Sequence, residues 1–166
     1  MKSRSPVSVK PSLLDRTVEA ASWLVLAGTW ILVLRHYETL PDAIPAHYGF
    51  TGDPTRLGGK AGILLLPLIG VILLGKLTVL GAFPHIMNYP VTITKENALR
   101  QYANAILLLR FLKLSIALSF GLITVMTIQT ALGHAGGLGG WFLPLFLILV
   151  FVPVIFFLVR SYRLER

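Results

Sequence analysis

Four long apolar stretches separate the polar and charged residues of this chain. Residues 20–34 contain no Asp, Glu, Lys or Arg, and residues 114–159 contain none either. About 20 apolar residues are enough for a helix to cross a bilayer. The pattern predicts an all-α, polytopic membrane protein with four transmembrane helices, at residues 17–37, 61–83, 103–132 and 141–159.

The connecting segments complete a single membrane domain over residues 1–166. We expect a tail at residues 1–16, a structured loop at 38–60, and a second loop at 84–102 that ends in the start of an amphipathic helix. Thr94 is a suitable N-cap for the third helix, which is predicted to continue from Lys95 to about Leu132. Such a helix exceeds the ~30 Å hydrocarbon core, so its first turns should lie outside it.

Charge orients the predicted helices in the membrane. The chain has 15 Lys and Arg against 7 Asp and Glu, a net charge of +8, with 55% hydrophobic residues. Cytoplasmic flanks of membrane helices carry excess Lys and Arg. With the N-terminus inside, nine basic residues flank the helices on the inner side (Lys2, Arg4, Lys10, Arg16, Lys95, Arg100, Arg160, Arg163 and Arg166) and three on the outer side (Arg35, Arg56 and Lys60). Both termini are therefore predicted to be cytoplasmic.

The predicted outer loop concentrates the candidate chemistry. Asp42, His47 and Asp53 offer the carboxylate and imidazole groups that zinc or manganese accepts, so one interpretation is a divalent metal site. The other is structural: the two aspartates form turns beside Pro41 and Pro54, and the histidine bonds locally. Apart from this metal, no cofactor is expected, because the chain lacks cysteine, a P-loop, a GxGxxG motif and a nucleophile elbow.

A second polar set lies at the start of the third helix. Asn97, Arg100, Gln101 and Asn104 recur at three- and four-residue spacing and share one helical face. This face is predicted to stay polar and outside the hydrocarbon. It is interpreted either as a solvated helix end or as a surface that binds a cytosolic protein or a lipid headgroup.

Two further sets lie deeper in the predicted helices. Arg110 and Lys113 share a helical face and, with Lys76, are candidates to bind anionic lipid. The small residues Ser115, Ala117, Ser119 and Gly121 predict close helix packing. Because the basic residues fall mostly in tails and loops, with no basic face, no nucleic-acid partner is expected.

Two segments carry a resemblance to a known family. The stretch YETLPDAIPAHYGFTGDPTRLGGK, residues 37–60, and the stretch NYPVTITKENALRQYANAILLLRFLKL, residues 88–114, resemble signatures of a short bacterial membrane domain of unknown function that is found in the SdpI-type immunity family. Positions that match in the first are Pro41, Asp42, Pro45, His47, Gly52, Asp53 and Lys60, and in the second Asn88, Pro90, Thr94, Glu96, Asn97, Arg100, Gln101 and Tyr102.

The resemblance implies a multi-pass protein of the bacterial inner membrane that protects against or senses a peptide, without established enzymology. The predicted function is therefore that of an integral membrane binding protein of immunity or sensor type, which recognises a peptide or envelope ligand through its outer loop. The alternatives are a metal-dependent enzyme at the outer leaflet, using Asp42, His47 and Asp53, and a transporter subunit.

Overall fold

The computed structural model of the protein describes residues 9–165. In chain order its main elements are helix α1 (Leu13–His36), strands β1 (Ala43–Tyr48) and β2 (Pro54–Gly59), and helices α2 (Leu65–Gly81), α3 (Ala98–Ala131) and α4 (Phe142–Arg163). Short 3₁₀ turns lie at Tyr37–Thr39, Lys60–Leu64 and Pro84–Ile86. Residues 1–8 of the expected tail lie outside the described residues, as does Arg166.

The prediction of four membrane helices is confirmed. Within residues 9–165, four helical segments are long and apolar enough to cross a bilayer: Leu13–Thr39, Lys60–Gly81, Ala98–Ala131 and Phe142–Arg163. Their outward faces carry large apolar side chains, such as Ile148, Phe151 and Ile155 on α4. The protein is mostly helical and has the pattern of a multi-pass membrane protein.

Helix α1 begins four residues before the predicted boundary because the sequence supplies a cap. The Ser12 hydroxyl accepts the backbone N–H of Asp15 at 3.2 Å, and the Asp15 carboxylate accepts the backbone N–H of Ser12 at 2.8 Å. This capping box satisfies two donors that the first turn leaves unpaired. It fixes the start of α1 at Leu13.

Helix α3 is continuous, as predicted, but its assigned start is Ala98, later than Lys95. One turn earlier, the backbone N–H of Thr94 donates to the Asn97 side chain at 2.9 Å, and the backbone N–H of Asn97 donates to the Thr94 hydroxyl at 3.3 Å. Thr94 and Asn97 therefore form a reciprocal contact one turn before the assigned start, and the Ala98 N–H donates to the Thr94 carbonyl at 3.0 Å, which is the spacing of an α-helical turn. At 34 residues, α3 is about 51 Å long.

Helix α3 is the centre of the bundle, and α1, α2 and α4 each pack against it. The predicted packing role of its small residues is confirmed: Ala117 and Ser119 are buried, and a Cβ at Gly121 would lie 3.0 Å from the Thr29 hydroxyl of α1. Leu26, Leu74 and Ala117 form a buried cluster where α1, α2 and α3 meet.

The loop expected at residues 38–60 contains the antiparallel hairpin β1–β2, which the sequence pattern did not predict. A second buried cluster lies beneath it: Val33, Leu40, Ile44, Ile63 and Ile128. These residues come from α1, the hairpin segment, the turn before α2, and α3. The hairpin is thus part of the core at one end of the bundle.

Candidate functional site

The hairpin turn is set by glycine. Gly52 has φ +83°, a left-handed conformation that L-residues with a Cβ rarely adopt. Its N–H donates to the Gly49 carbonyl, and the Gly49 N–H donates to the Asp53 carbonyl, each at 2.9 Å. These bonds close the turn between β1 and β2.

Backbone contacts hold the turn against the loop between α3 and α4, residues 133–140, which we call the glycine loop. The Leu138 N–H donates to the Gly52 carbonyl at 2.7 Å. A Cβ at Gly52 would lie 2.5 Å from the Gly139 nitrogen, and one at Gly137 would lie 2.3 Å from the Gly52 carbonyl oxygen. Only residues without a Cβ permit so close an approach, so the glycines of both segments are needed for docking.

A side-chain contact reinforces the backbone docking. Tyr48 at the end of β1 shares a hydrogen bond of 2.8 Å with the Thr127 hydroxyl of α3. Burial of the phenol raises the pKa of Tyr48 above its ordinary value, and the hydroxyl contact opposes this rise. The hairpin is therefore anchored to the bundle at its turn, at the end of β1 and through Ile44.

Two large apolar side chains are exposed on the outer surface of the hairpin. Phe50 in the turn is 91% exposed, and Leu57 on β2 is 62% exposed. A cavity of about 520 Å³ opens beside the turn and is lined by hairpin and bundle residues, among them His47, Phe50, Leu138 and Phe142. An ordered surface with an aromatic anchor, a cavity and an imidazole can bind a ligand that is partly apolar.

The structure corrects the interpretation of Asp42, His47 and Asp53 as one metal site. Among residues 9–165, no three His, Cys, Asp or Glu side chains form a group that could hold a metal ion. Asp42 lies at the base of the hairpin, where its carbonyl accepts the Lys60 N–H at 3.0 Å. Asp53 lies in the turn, where its carboxylate accepts the Thr51 hydroxyl at 2.6 Å. Six-residue strands separate the two carboxylates by roughly 20 Å, too far to share an ion.

The three residues therefore have separate surroundings. The exposed Asp42 carboxylate lies 3.7 Å from the Lys60 ammonium. His47 is opposite Arg56 in the hairpin register and is exposed at the rim of the cavity. The metal-dependent enzyme considered from the sequence has no ligand set at these positions.

The prediction for the polar face of α3 is also corrected, because α4 covers Gln101 and Asn104. Gln101 is fully buried, with its amide donating to the Ser161 carbonyl at 2.8 Å and its carbonyl accepting the Ser161 hydroxyl at 2.6 Å. Asn104 donates to the Phe157 carbonyl at 2.9 Å. Asn97 is buried as well and donates to the Thr92 carbonyl at 3.0 Å.

Of the predicted set, Arg100 stays exposed. The central part of the face is a helix contact within the protein, because the amides of Gln101 and Asn104 bond to the backbone of α4 instead of water. It is not a free surface for a cytosolic protein or a headgroup.

A related contact lies deeper, at a proline in α4. Pro153 has no N–H, so the carbonyl of Leu149, four residues earlier, has no helical donor. The Ser115 hydroxyl of α3 donates to this carbonyl at 2.6 Å. Ser115 of α3 thus supplies the hydrogen bond that Pro153 of α4 cannot donate.

A charged cluster that the sequence pattern did not predict lies between α1, α2 and α3. Lys113 pairs with Glu19 and donates to the Thr78 hydroxyl at 2.9 Å, although its side chain is only 2% exposed. Arg110 pairs with Asp15, and its Nε lies 3.5 Å from the Glu19 carboxylate. The sequence does contain a signal for this cluster. Asp15 and Glu19 lie four residues apart on one apolar helix, and Arg110 and Lys113 lie three residues apart on another.

One comparison with known proteins matches the hairpin region. The model of a domain of unknown function, DUF1648, matches residues 24–71, which cover the C-terminal half of α1, the hairpin and the start of α2. The chain is also similar to an uncharacterized protein of Archaeoglobus fulgidus, with 29% identity over 174 residues and 93% of each chain covered. No solved structure matches.

Proposed function

We propose that this protein is a membrane-embedded binding protein that recognises a peptide or envelope ligand through the outer surface of the hairpin. The observation that carries the proposal is the 91% exposure of Phe50 in a turn that the glycine loop holds in place. Phe50 also lines the cavity beside the turn, and an exposed apolar side chain at a concave site can anchor a ligand. Aromatic residues are also enriched at the centres of protein interfaces.

The neighbouring groups suit a partly apolar peptide. Leu57 on β2 is also exposed, and the cavity of about 520 Å³ beside the turn has room for a side chain of the ligand. His47 lines this cavity and supplies an imidazole that can form hydrogen bonds there. A docked hairpin loses little conformational freedom when it binds, which favours affinity.

The resemblance to the SdpI-type family supports a sensor or immunity role, because its first signature coincides with the hairpin segment. The relative at 29% identity is archaeal, whereas the resemblance is to bacterial proteins. A cytoplasmic membrane of a prokaryote is the location consistent with both.

We infer that the hairpin faces the exterior and both termini face the cytoplasm, from the charge asymmetry of the flanks. The chain contains no cysteine, so a single Thr55→Cys substitution on the exposed part of β2 gives a unique label. A membrane-impermeant thiol reagent should label this cysteine in intact cells. Labelling that requires lysis would show that the hairpin faces the cytoplasm, and an external ligand could then not reach it.

Ligand recognition can be tested by selecting displayed peptides on the purified protein in nanodiscs. Peptides enriched on the wild type should lose binding to Phe50→Ser, because the aromatic anchor is removed. Phe83→Ser is the matched control: Phe83 is also exposed, but it follows α2 at the opposite end of the bundle. Equal enrichment on the wild type and on Phe50→Ser would contradict the proposal.

A further inference from the structure

A second cavity lies at the end of the bundle opposite the hairpin, between α1, α2 and α3. Its volume is about 220 Å³, and its lining includes Glu19, Thr78, Gly81, Arg110 and Lys113. It therefore opens beside the charged cluster. Charged side chains in membrane helices are costly unless they are paired, and they commonly mark functional sites.

The residues of the charged cluster differ in how many of their hydrogen-bond donors and acceptors are bonded within the protein. The three N–H groups of Lys113 are directed to both carboxylate oxygens of Glu19 and to the Thr78 hydroxyl. The Glu19 carboxylate also accepts the Trp23 indole N–H at 2.9 Å and faces the Nε of Arg110. The lysine and the glutamate thus have little capacity left for a ligand.

Arg110 differs because a guanidinium has five N–H donors. Its ion pairs with Asp15 and Glu19 engage one terminal nitrogen and Nε. The remaining donors belong to a side chain that is 19% exposed and lines the cavity. The cavity therefore presents a planar set of guanidinium N–H donors, which suits a ligand group with several hydrogen-bond acceptors.

We propose that this cavity binds the phosphodiester group of a membrane phospholipid, held by the donors of Arg110 that the protein does not use. A guanidinium matches the geometry of phosphate oxygens and can bind two of them at once. The wall opposite has space, because a Cβ at Gly81 would meet only the Leu109 side chain, at 3.9 Å.

A lipid fits the position of the cavity better than a soluble phosphate does. The cavity lies where α2 ends at Gly81, and the last turns of α2 expose apolar side chains such as Val79, against which an acyl chain can lie. The cluster has two acids and two bases, so its formal charge is balanced. Recognition therefore depends on hydrogen bonds to phosphate, and anionic and zwitterionic headgroups should both bind.

The test is native mass spectrometry of the full-length protein in detergent, titrated with phosphatidylglycerol, phosphatidylethanolamine or diacylglycerol of identical acyl chains. Both phospholipids should be retained on the order of tenfold more strongly than diacylglycerol, which lacks the phosphate that Arg110 would bind. Equal retention of diacylglycerol would overturn the proposal, and so would displacement of the phospholipid by inorganic phosphate, which would identify a soluble ligand.

Two variants connect retention to this cavity. Gly81→Leu should fill the cavity and reduce phospholipid retention to the level of diacylglycerol, while every charged residue stays in place. Gly75→Leu is the matched control on the same helix, since a Cβ there meets nothing within 4 Å and Gly75 does not line the cavity.

Arg110→Lys is a second variant that keeps the positive charge but removes the planar set of donors. This variant should weaken the retention of both phospholipids and leave the retention of diacylglycerol unchanged. Wild-type retention in Gly81→Leu or in Arg110→Lys would show that the lipid binds elsewhere.

Discussion

The hairpin and the start of α3 are both polar in sequence, but their side chains have opposite surroundings. At α3, the amides of Gln101 and Asn104 are buried and bond to the backbone of α4. At the hairpin, backbone contacts between Gly52 and the glycine loop provide the docking, while Phe50, Leu57 and His47 remain exposed.

The difference shows how each region can contribute to function. Polar side chains that complete the backbone hydrogen bonds of a neighbouring helix are not available to a ligand. A segment docked through its backbone leaves its side chains free for recognition. Polarity in the sequence is thus a poor guide to binding in a membrane protein unless the helix neighbours are known.

The largest expected effect concerns the buried charges that join α1 to α3. Glu19→Ala removes the carboxylate that pairs with Lys113, whose side chain is 2% exposed. Loss of one partner of a buried pair typically costs about 3–5 kcal/mol, because the other charge is left uncompensated. The free energy of unfolding in mixed micelles should fall by this amount.

Two controls separate charge burial from general damage to α1. The double variant Glu19→Leu with Lys113→Leu should recover most of the loss, because neither charge remains. Glu38→Ala, at an exposed glutamate beside the hairpin, should cause no measurable change. If Glu19→Ala and Glu38→Ala have the same free energy of unfolding, the Glu19–Lys113 pair does not stabilise the packing of α1 on α3.

The next effect tests the backbone docking of the hairpin. Gly52→Ala places a Cβ 2.5 Å from the Gly139 nitrogen at a residue with φ +83°. The left-handed conformation costs an L-residue about 1–2 kcal/mol, and displacement of the glycine loop adds to this, so a loss of about 2–3 kcal/mol is expected. Amide exchange of β1 and β2 should become faster as the hairpin undocks.

Gly59→Ala is the matched control for docking, because it is in the same hairpin and its Cβ would meet nothing within 4 Å. Its amide exchange should match that of the wild type. Unchanged hairpin exchange in Gly52→Ala would mean that the turn does not need the close contact with Gly139.

The four helices could be predicted from sequence because each depends on a local property, a long apolar stretch. The contact of Thr94 with Asn97 before α3 is local as well, since the two residues lie three positions apart. The hairpin could not be predicted, since the strand sequences AIPAHY and PTRLGG contain proline and glycine and lack regular alternation. Its turn makes close backbone contact with the glycine loop, which is some 80 residues away in the chain.

The candidate sites likewise depend on contacts between segments that are distant in the chain. Asp42 and Asp53 looked like joint ligands because they are close in sequence, but an extended strand between them keeps them apart. The pairs Glu19–Lys113 and Asp15–Arg110 could not be found without knowing which helices are adjacent. Whether Gln101 faces water or α4 also depends on that arrangement.

A smaller effect is expected at the contact between α3 and α4. Gln101→Leu removes both hydrogen bonds to Ser161. Hydrogen bonds between membrane helices average about 0.6 kcal/mol and reach about 1.7, so a loss of about 1–2 kcal/mol is expected. Unfolding in mixed micelles measures this loss. A free energy of unfolding unchanged in Gln101→Leu would contradict the assignment of Gln101 as the helix contact.

The smallest effect tests the side-chain anchor of the hairpin and has a pH signature. Tyr48→Phe removes the 2.8 Å hydrogen bond to Thr127, which should cost about 0.5–1.5 kcal/mol near neutral pH.

Burial raises the pKa of Tyr48 in the folded state above the ordinary value of 10.0, so the unfolded chain loses this proton first as pH rises. The stability contributed by the buried phenol is therefore complete below about pH 10 and is lost as pH rises through the folded-state pKa. Thermal unfolding followed from neutral to alkaline pH should show a shallower decline for Tyr48→Phe than for the wild type. Tyr162→Phe, at an exposed tyrosine of α4, should decline as the wild type does. Parallel curves for the wild type and Tyr48→Phe would mean that the phenol is not buried by the docked hairpin, and that backbone contacts alone hold it on the bundle.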